Sequence, residues 1–179
     1  LRQLNTYGLI GVNISVTSLS EKTRRILEPR TTTIKKRLEA IKILSDHGIP
    51  VNAMLAPIIP GINSHEILGL AKAVSEHGAV SMGFTVVRLN GAIGEIFTDW
   101  IRKTLPDKAE KVLDQIRECH GGTLNDSRFG IRSKGEGKIA TQIHDLMDLA
   151  KRRYFKNKSF PKLNTQLHEA YKEGQLKLL

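Results

Sequence analysis

Three short apolar segments, separated by two amphipathic helical patterns, constrain the fold of this chain more than any other feature. The predicted strands cover residues 11–17, 51–56 and 80–89, and they are rich in β-branched residues bounded by glycine or proline. Helical periodicity predicts helices at residues 33–47 and 64–77. This order and these lengths predict two βαβ units, whose strands are parallel.

Three parallel strands make an incomplete sheet. Either other elements cover both of its edges, or further strands complete a larger sheet or partial barrel. The chain starts with Leu1 and not with Met, so we expect it to begin in the middle of a domain. The predicted fold class is therefore α/β, with flanking helices.

The part of the chain after residue 90 is predicted to be helical. The pattern predicts helices near residues 93–101, 106–118 and 138–155, with a polar, glycine-rich loop at residues 123–137. We expect three regions: a sheet region at residues 1–90, a helical extension at 91–155 and a basic tail at 156–179.

The net charge of +10 lies mostly at the carboxyl-terminal end. Residues 128–179 carry 12 basic and 5 acidic side chains. Such a field attracts the phosphates of nucleic acids, although solvated lysines that only maintain solubility produce the same charge. Lys151, Arg152 and Arg153 are the candidate phosphate contacts, and the alternative for them is a solvated helix face.

Cysteine content and hydropathy restrict the cellular compartment and the kinds of metal site that this sequence predicts. Cys119 is the single cysteine, so the sequence predicts no intrachain disulfide and no cysteine-based metal site, and a reducing, cytoplasmic location fits. No apolar run approaches the roughly 20 residues that span a bilayer.

Ligands of parallel α/β sheets bind at the carboxyl ends of the strands, where this sequence places polar and rigid segments. Asn13, Ser15 and Thr17 alternate with apolar residues in the first strand, which favours a face lined for a ligand, with an exposed edge face as the alternative. The loop at residues 57–61 contains two prolines and a glycine, which suit either a flat heterocycle or a rigid turn.

The order of several short stretches resembles the second half of radical S-adenosylmethionine proteins related to spore photoproduct lyase, and a later set resembles a bacterial subgroup often labelled DNA repair photolyase. The first set is ISVT at 14–17, LEPR at 27–30, KRLEAI at 36–41, APIIPG at 56–61 and RL at 88–89. The second set is GG at 121–122, LND at 124–126, RFG at 128–130 and GEG at 135–137.

The resemblance implies strands four to six of a partial (β/α)6 barrel, followed by a helical extension. It also implies that the intact parent binds S-adenosylmethionine and a [4Fe-4S] cluster and is a radical lyase or oxidoreductase, which we expect to act on damaged DNA. The C-x-x-x-C-x-x-C motif that holds the cluster is absent from this sequence. The cluster is therefore expected on the missing amino-terminal half, and this chain alone is expected to be inactive.

Carried over by position, five residues are predicted to bind the cofactor. Ser15 matches the hydroxyl offered to the ribose or methionine end, and Arg37 is the candidate partner of the methionine carboxylate, with a surface arginine as the alternative. Ile58, Ile59 and Gly61 match the segment that brackets the adenine.

A second set of residues is predicted to face the substrate: Asn13, Thr17, Glu28, Arg30 and Arg88. Glu28 and Arg30 flank Pro29 near the expected barrel mouth, where they either orient the substrate or pair with each other. Asn90 stands where the subgroup has a proline.

The last five residues resemble the short Gln-Leu-x-Leu-Phe peptide that docks bacterial repair proteins on the sliding clamp. Gln175, Leu176, Leu178 and Leu179 are the predicted anchors, with Leu179 in place of the usual aromatic residue. A rival to the enzyme hypothesis is a noncatalytic, basic nucleic-acid-binding module.

Overall fold

The computed structural model describes residues 1–172 and contains one parallel sheet with the strand order β1-β2-β3, which confirms the predicted α/β fold class. The strands are β1 (Val12–Ser15), β2 (Val51–Ile58) and β3 (Ser81–Val86). The helices before and between them are α1 (Arg2–Thr6), α2 (Glu21–Leu27), α3 (Ile34–Asp46) and α4 (Ile67–Glu76), and those after them are α5 (Ala92–Thr104), α6 (Ala109–Cys119), α7 (Gly137–Tyr154) and α8 (Gln166–Lys172).

The two faces of the sheet differ in chemistry. Val51, Ala53 and Leu55 of β2 point to the helix-covered face and are fully buried. On the opposite face the Nδ2 of Asn52 donates to the Oδ1 of Asn13 at 2.7 Å, and the hydroxyl of Ser81 donates to the Oδ1 of Asn52 at 2.7 Å. A polar ladder therefore crosses all three strands on the face opposite the buried one.

Two clusters of apolar side chains form the core. The larger one joins the sheet to α3, α4 and α7 through buried residues such as Ile41, Leu70 and Met147. The smaller one joins the segments after β2 and β3 to α5 and α6, with Leu113 and Ile116 at its centre. Because α7 shares the larger cluster, the predicted helical extension packs directly on the sheet region.

The outer edge of β3 is covered by the segment between α6 and α7. The amide of Val86 donates to the carbonyl of Ser133 at 3.0 Å, and the amide of Leu89 donates to the carbonyl of Leu124 at 2.9 Å. Arg128 fastens this segment through ion pairs with Asp126 and Glu136, both at 2.6 Å. These two bonds pair the end of β3 and the segment that follows it, where backbone groups would otherwise be open.

A buried amide ties the carboxyl ends of β1 and β2 together. Asn63 is fully buried, and its Oδ1 accepts from the amide of Ile59 at 2.7 Å. Its Nδ2 donates to the carbonyls of Thr17 at 2.8 Å and Pro57 at 3.0 Å. One side chain thus satisfies three backbone groups in a place where water cannot.

Two segments depart from the sequence-based expectations. Helix α2 lies where no helix was predicted. Its N-cap is Ser20, whose hydroxyl accepts from the amide of Thr23 at 3.2 Å. The predicted tail is partly ordered, since Lys158 donates to the carbonyl of Ser75 at 2.7 Å, the amide of Asn164 donates to the carbonyl of Gly8 at 2.8 Å, and α8 follows. The proposed clamp peptide lies outside the described residues.

Replacing Asn63 by alanine is expected to lower the free energy of unfolding by about 2–4 kcal/mol, because three buried backbone groups lose their partner. Urea or guanidinium unfolding measures this change. Asn157→Ala, at an exposed position, is the matched control and should change stability by less than about 0.5 kcal/mol. A loss below about 1 kcal/mol for Asn63→Ala would contradict the role of this side chain in joining the ends of β1 and β2.

The Arg128 guanidinium, which bonds the carboxylate of Asp126, lowers the pKa of that group to about 2. A carboxyl with a depressed pKa in the folded state stabilises the fold above its unfolded pKa of about 3.9, and this contribution disappears as the pH falls toward about 2. We expect Asp126→Asn to lower the unfolding midpoint at pH 7, with the gap to the wild type closing between about pH 4 and pH 2.

Chemical unfolding across this pH range measures the gap, and Asp148→Asn, at an exposed carboxylate, is the control. A gap that stays constant from pH 7 to pH 2 would contradict the assignment of the charge to the Arg128 pair.

Candidate functional site

An apolar cavity of about 480 Å³ opens at the carboxyl ends of the three strands. Thr17, Ile59 and Val87 line it from the segments that directly follow β1, β2 and β3. Two helices supply the remaining walls: Ile26, Leu27 and Glu28 come from α2 and its end, and Ile93, Ile96, Phe97 and Trp100 come from α5. The cavity therefore lies where parallel sheets of this kind bind ligands.

One hydroxyl in this cavity lacks a partner. The side chain of Thr17 is 3% exposed, and its Oγ1 forms no hydrogen bond within residues 1–172. A buried polar atom without a partner costs free energy, whereas a ligand that bonds it removes that cost. The cavity thus has mainly apolar walls, with an unpartnered hydroxyl buried in one of them and the Glu28 carboxylate at its rim. A mainly apolar lining with few polar groups is typical of sites for small organic ligands.

An ion pair stands at the rim of the cavity. Arg37 of α3 donates through Nη2 to the carboxylate of Glu28 at 2.6 Å and through Nη1 to the carbonyl of Ser15 at 2.9 Å. The structure brings the predicted residues Ser15 and Arg37 together, although the contact uses the backbone of Ser15 and not its hydroxyl. Glu28 pairs with Arg37 and not with Arg30.

Glu66, the residue before α4, fixes the loop between β1 and α2. The carboxylate of Glu66 accepts from the hydroxyl of Ser18 at 2.8 Å and from the amide of Leu19. Ser18 is almost fully buried. Arg24 of α2, also buried, donates to the carbonyls of Glu28 at 3.1 Å and Thr31 at 2.8 Å. These bonds hold α2 against the cavity.

Several predicted site residues lie away from the cavity. Ile58 is fully buried in the larger core cluster, and Gly61 contacts α6, where a Cβ would lie 2.7 Å from the Oε1 of Gln115. Asn13 and Ser15 lie on the polar face of the sheet, opposite the buried one. The polar residues that alternate along β1 therefore face away from the core. Among the predicted cofactor ligands, only Ile59 lines the cavity.

The charged residues predicted for the substrate and for nucleic acid lie at the surface or near it. Arg30 is exposed and Arg88 is half-buried just after β3, and within residues 1–172 neither side chain forms an ion pair or hydrogen bond. Lys151, Arg152 and Arg153 are exposed in the last turn of α7, where positive charge also complements the helix dipole. Their assignment to phosphates stays a prediction.

The sequence pattern did not predict that α5 lines the cavity or that His120 is buried. The apolar spacing of Ile93, Phe97 and Trp100 indicates a helix but not which cavity that helix closes. His120 is 3% exposed, and its Nε2 donates to the carbonyl of Val87 at 2.6 Å, so it fixes the strand end that lines the cavity. Its position at the end of α6 was visible in the sequence, but its burial was not.

The cysteine does not form a reactive site. Cys119 is fully buried in the core, and burial, followed by the charge of Glu118, raises the pKa of its thiol to about 11. Within residues 1–172 no three histidine, cysteine or acidic side chains are grouped as metal binding would require. In the same part of the chain, no helix has the length and apolar character to cross a bilayer.

Comparison with known families adds one finding to this geometry. No curated protein and no solved structure matches the chain. The family model described as the radical SAM superfamily matches residues 1–74, which include β1, β2 and most of α4. Members of that superfamily use S-adenosylmethionine and a [4Fe-4S] cluster. The match, the three parallel strands and the cavity at their carboxyl ends together support a radical SAM protein.

Proposed function

We propose that this chain forms the half of a spore-photoproduct-lyase-like radical enzyme that holds the adenosyl group of S-adenosylmethionine, and that the intact parent acts on damaged DNA. The observation that carries the proposal is the apolar cavity at the carboxyl ends of the strands, whose wall contains the buried, unpartnered hydroxyl of Thr17. The family match over residues 1–74 supports the choice of cofactor. The resemblance of the later stretches supports the subgroup.

The cavity fits the nucleoside part of the cofactor. Ile59 and Phe97 offer apolar surfaces for a flat purine, and Thr17 offers a hydrogen-bonding group to its polar edge or to the ribose. A volume of about 480 Å³ lies within the range of small-molecule sites. The cluster does not fit within the described residues, because the single cysteine is buried in the core and its thiol is held in the protonated form.

The residues of this chain bind and orient; in the proposal they do not supply the radical. Bound S-adenosylmethionine would supply a carbon radical for hydrogen removal from the substrate, after one electron from the parent's cluster and cleavage of its S–C5′ bond with release of methionine. Ile59 and Val87 exclude water from that region, and the amide of Asn63 holds the two strand ends at a fixed separation. His120 fixes the Val87 carbonyl through Nε2.

Arg37 remains the proposed partner of the methionine carboxylate. In the unliganded chain its guanidinium is bonded to the Glu28 carboxylate at the rim of the cavity. A cofactor carboxylate would take the place of that acceptor, because a guanidinium fork bonds either carboxylate with the same geometry. Glu28 would then be released toward the substrate side, in keeping with its proposed substrate-facing role.

A noncatalytic nucleic-acid-binding module is the second candidate. The net charge of +10 and the basic carboxyl-terminal third favour it. The two candidates differ in what they predict for small ligands, since a binding module has no use for an apolar cavity with one unsatisfied hydroxyl. Adenosyl binding by this chain therefore separates them.

Trp100 is the single tryptophan and lines the cavity, so its fluorescence reports on occupancy. We expect S-adenosylhomocysteine to change this fluorescence saturably. Thr17→Val should weaken binding by about 5- to 30-fold, in line with one lost hydrogen bond of about 1–2 kcal/mol. The same variant should leave the stability of the unliganded chain unchanged or raised, because it removes an unpartnered buried hydroxyl.

The control for Thr17→Val is Thr104→Val, which makes the same change at an exposed position outside the cavity. It should leave the affinity unchanged. Equal weakening by both variants, or wild-type affinity in Thr17→Val, would contradict the assignment of this cavity.

The radical chemistry itself is tested on the polypeptide encoded by the full reading frame. We expect a C-x-x-x-C-x-x-C motif upstream of Leu1 and, after cluster loading and reduction by dithionite, formation of 5′-deoxyadenosine. A cluster-loaded protein that forms none would reject the enzyme assignment. Serine replacements of the three cysteines are the matched control and should abolish both the cluster absorbance and the product.

A further inference from the structure

The segment that covers the β3 edge presents an aromatic ring to solvent. The side chain of Phe129 is 91% exposed. The guanidinium of Arg132 lies 5.5 Å from the centre of its ring, which stacks a cation against one part of the ring surface. The remaining ring surface is open, so a second flat group can pack against it.

The backbone on either side of this ring is fixed. Arg128, the residue before Phe129, is held by the carboxylates of Asp126 and Glu136. On the other side the carbonyl of Ser133 accepts from the amide of Val86 in β3. A ring carried on a backbone that is already ordered loses little conformational entropy when it binds a partner.

Three basic side chains that follow the ring in the sequence have no ion-pair partner among the described residues. Arg132, Lys134 and Lys138 form no ion pair within residues 1–172, whereas the charge of Arg128 is matched by two carboxylates. Lys134 and Lys138 are exposed. An exposed aromatic ring with one cation against it, and two exposed lysines within nine residues along the chain, suits a ligand that combines flat rings with repeated negative charge. A single strand of nucleic acid is such a ligand.

We propose that Phe129 is a stacking platform for a base of single-stranded nucleic acid, with Arg132, Lys134 and Lys138 contacting the adjacent phosphates. A paired and stacked base has no open face for this ring, so the site favours single strands over duplexes. The site lies beside the end of β3, and Val87 at that end lines the apolar cavity. A strand bound here would run along the same edge of the sheet as the cavity.

This inference deepens the proposed action on nucleic acid but does not depend on the cofactor. The test uses the 179-residue chain and a fluorescently labelled oligothymidine of about 12 nucleotides, within the range of such sites. Anisotropy at low salt gives the affinity. We expect Phe129→Ala to weaken binding by about 5- to 100-fold and Phe129→Trp to restore it, as stacking on a ring requires.

Three comparisons make the test specific. Tyr7→Ala removes another exposed aromatic ring, far along the chain, and should leave affinity unchanged. Phe129→Ala should keep the salt dependence of the wild type, whereas Arg132→Gln with Lys134→Gln should reduce it, because only the second change removes phosphate contacts. A duplex of the same length should compete at least 10-fold less well than the single strand.

The outcomes that overturn the proposal are distinct. They are wild-type affinity in Phe129→Ala, equal competition by the duplex, or loss of binding only when Lys151, Arg152 and Arg153 are changed to glutamine. An unchanged thermal midpoint in Phe129→Ala confirms that the fold is intact. Thr17→Val should bind the oligonucleotide as the wild type does, so failure of the adenosyl site and failure of the stacking site are separable.

Discussion

The fold depends on one buried amide. Asn63 holds the ends of β1 and β2 through two donated and one accepted hydrogen bond, each to a backbone group. The floor of the apolar cavity depends on those strand ends, since Thr17 and Ile59 belong to the segments that the amide bonds. A sheet of three strands has little rigidity of its own, so an interior cross-link at its carboxyl ends defines the geometry that a ligand meets.

The two faces of the sheet and its β3 edge have different environments. The edge of β3 is paired with the segment between α6 and α7, and the helix-covered face is apolar and buried. The opposite face carries the polar ladder of Asn13, Asn52 and Ser81. Polar groups bonded across neighbouring strands can face water, as they would in this chain alone. They can also line the interior of a barrel, as they would in the proposed intact parent.

The strand order and most helices could be predicted from the sequence, because hydrophobic period and glycine stops are local properties. Helix α2 was missed, since its sequence has few apolar residues and its stability comes from the Ser20 cap and the Arg24 bonds to the following loop. The cavity was located at the right end of the sheet, and Thr17 and Ile59 were among the candidates. Ile58 and Gly61 were assigned from the family resemblance, and the structure places Ile58 in the larger core and Gly61 against α6. For Ile58 the reason is that a one-residue step along an extended segment reverses the direction of a side chain. The α5 wall and the burial of His120 depend on packing between distant segments, which no local pattern specifies.

The contact between Asn164 and Gly8 places the amino-terminal segment and the start of the tail side by side at the amino ends of the strands. The cavity and the Phe129 ring belong to the other end of the sheet. A tag, a fluorophore or a fused domain attached at Leu1 would therefore leave both surfaces accessible. Immobilising the chain through that terminus presents its ligand-facing end to solution.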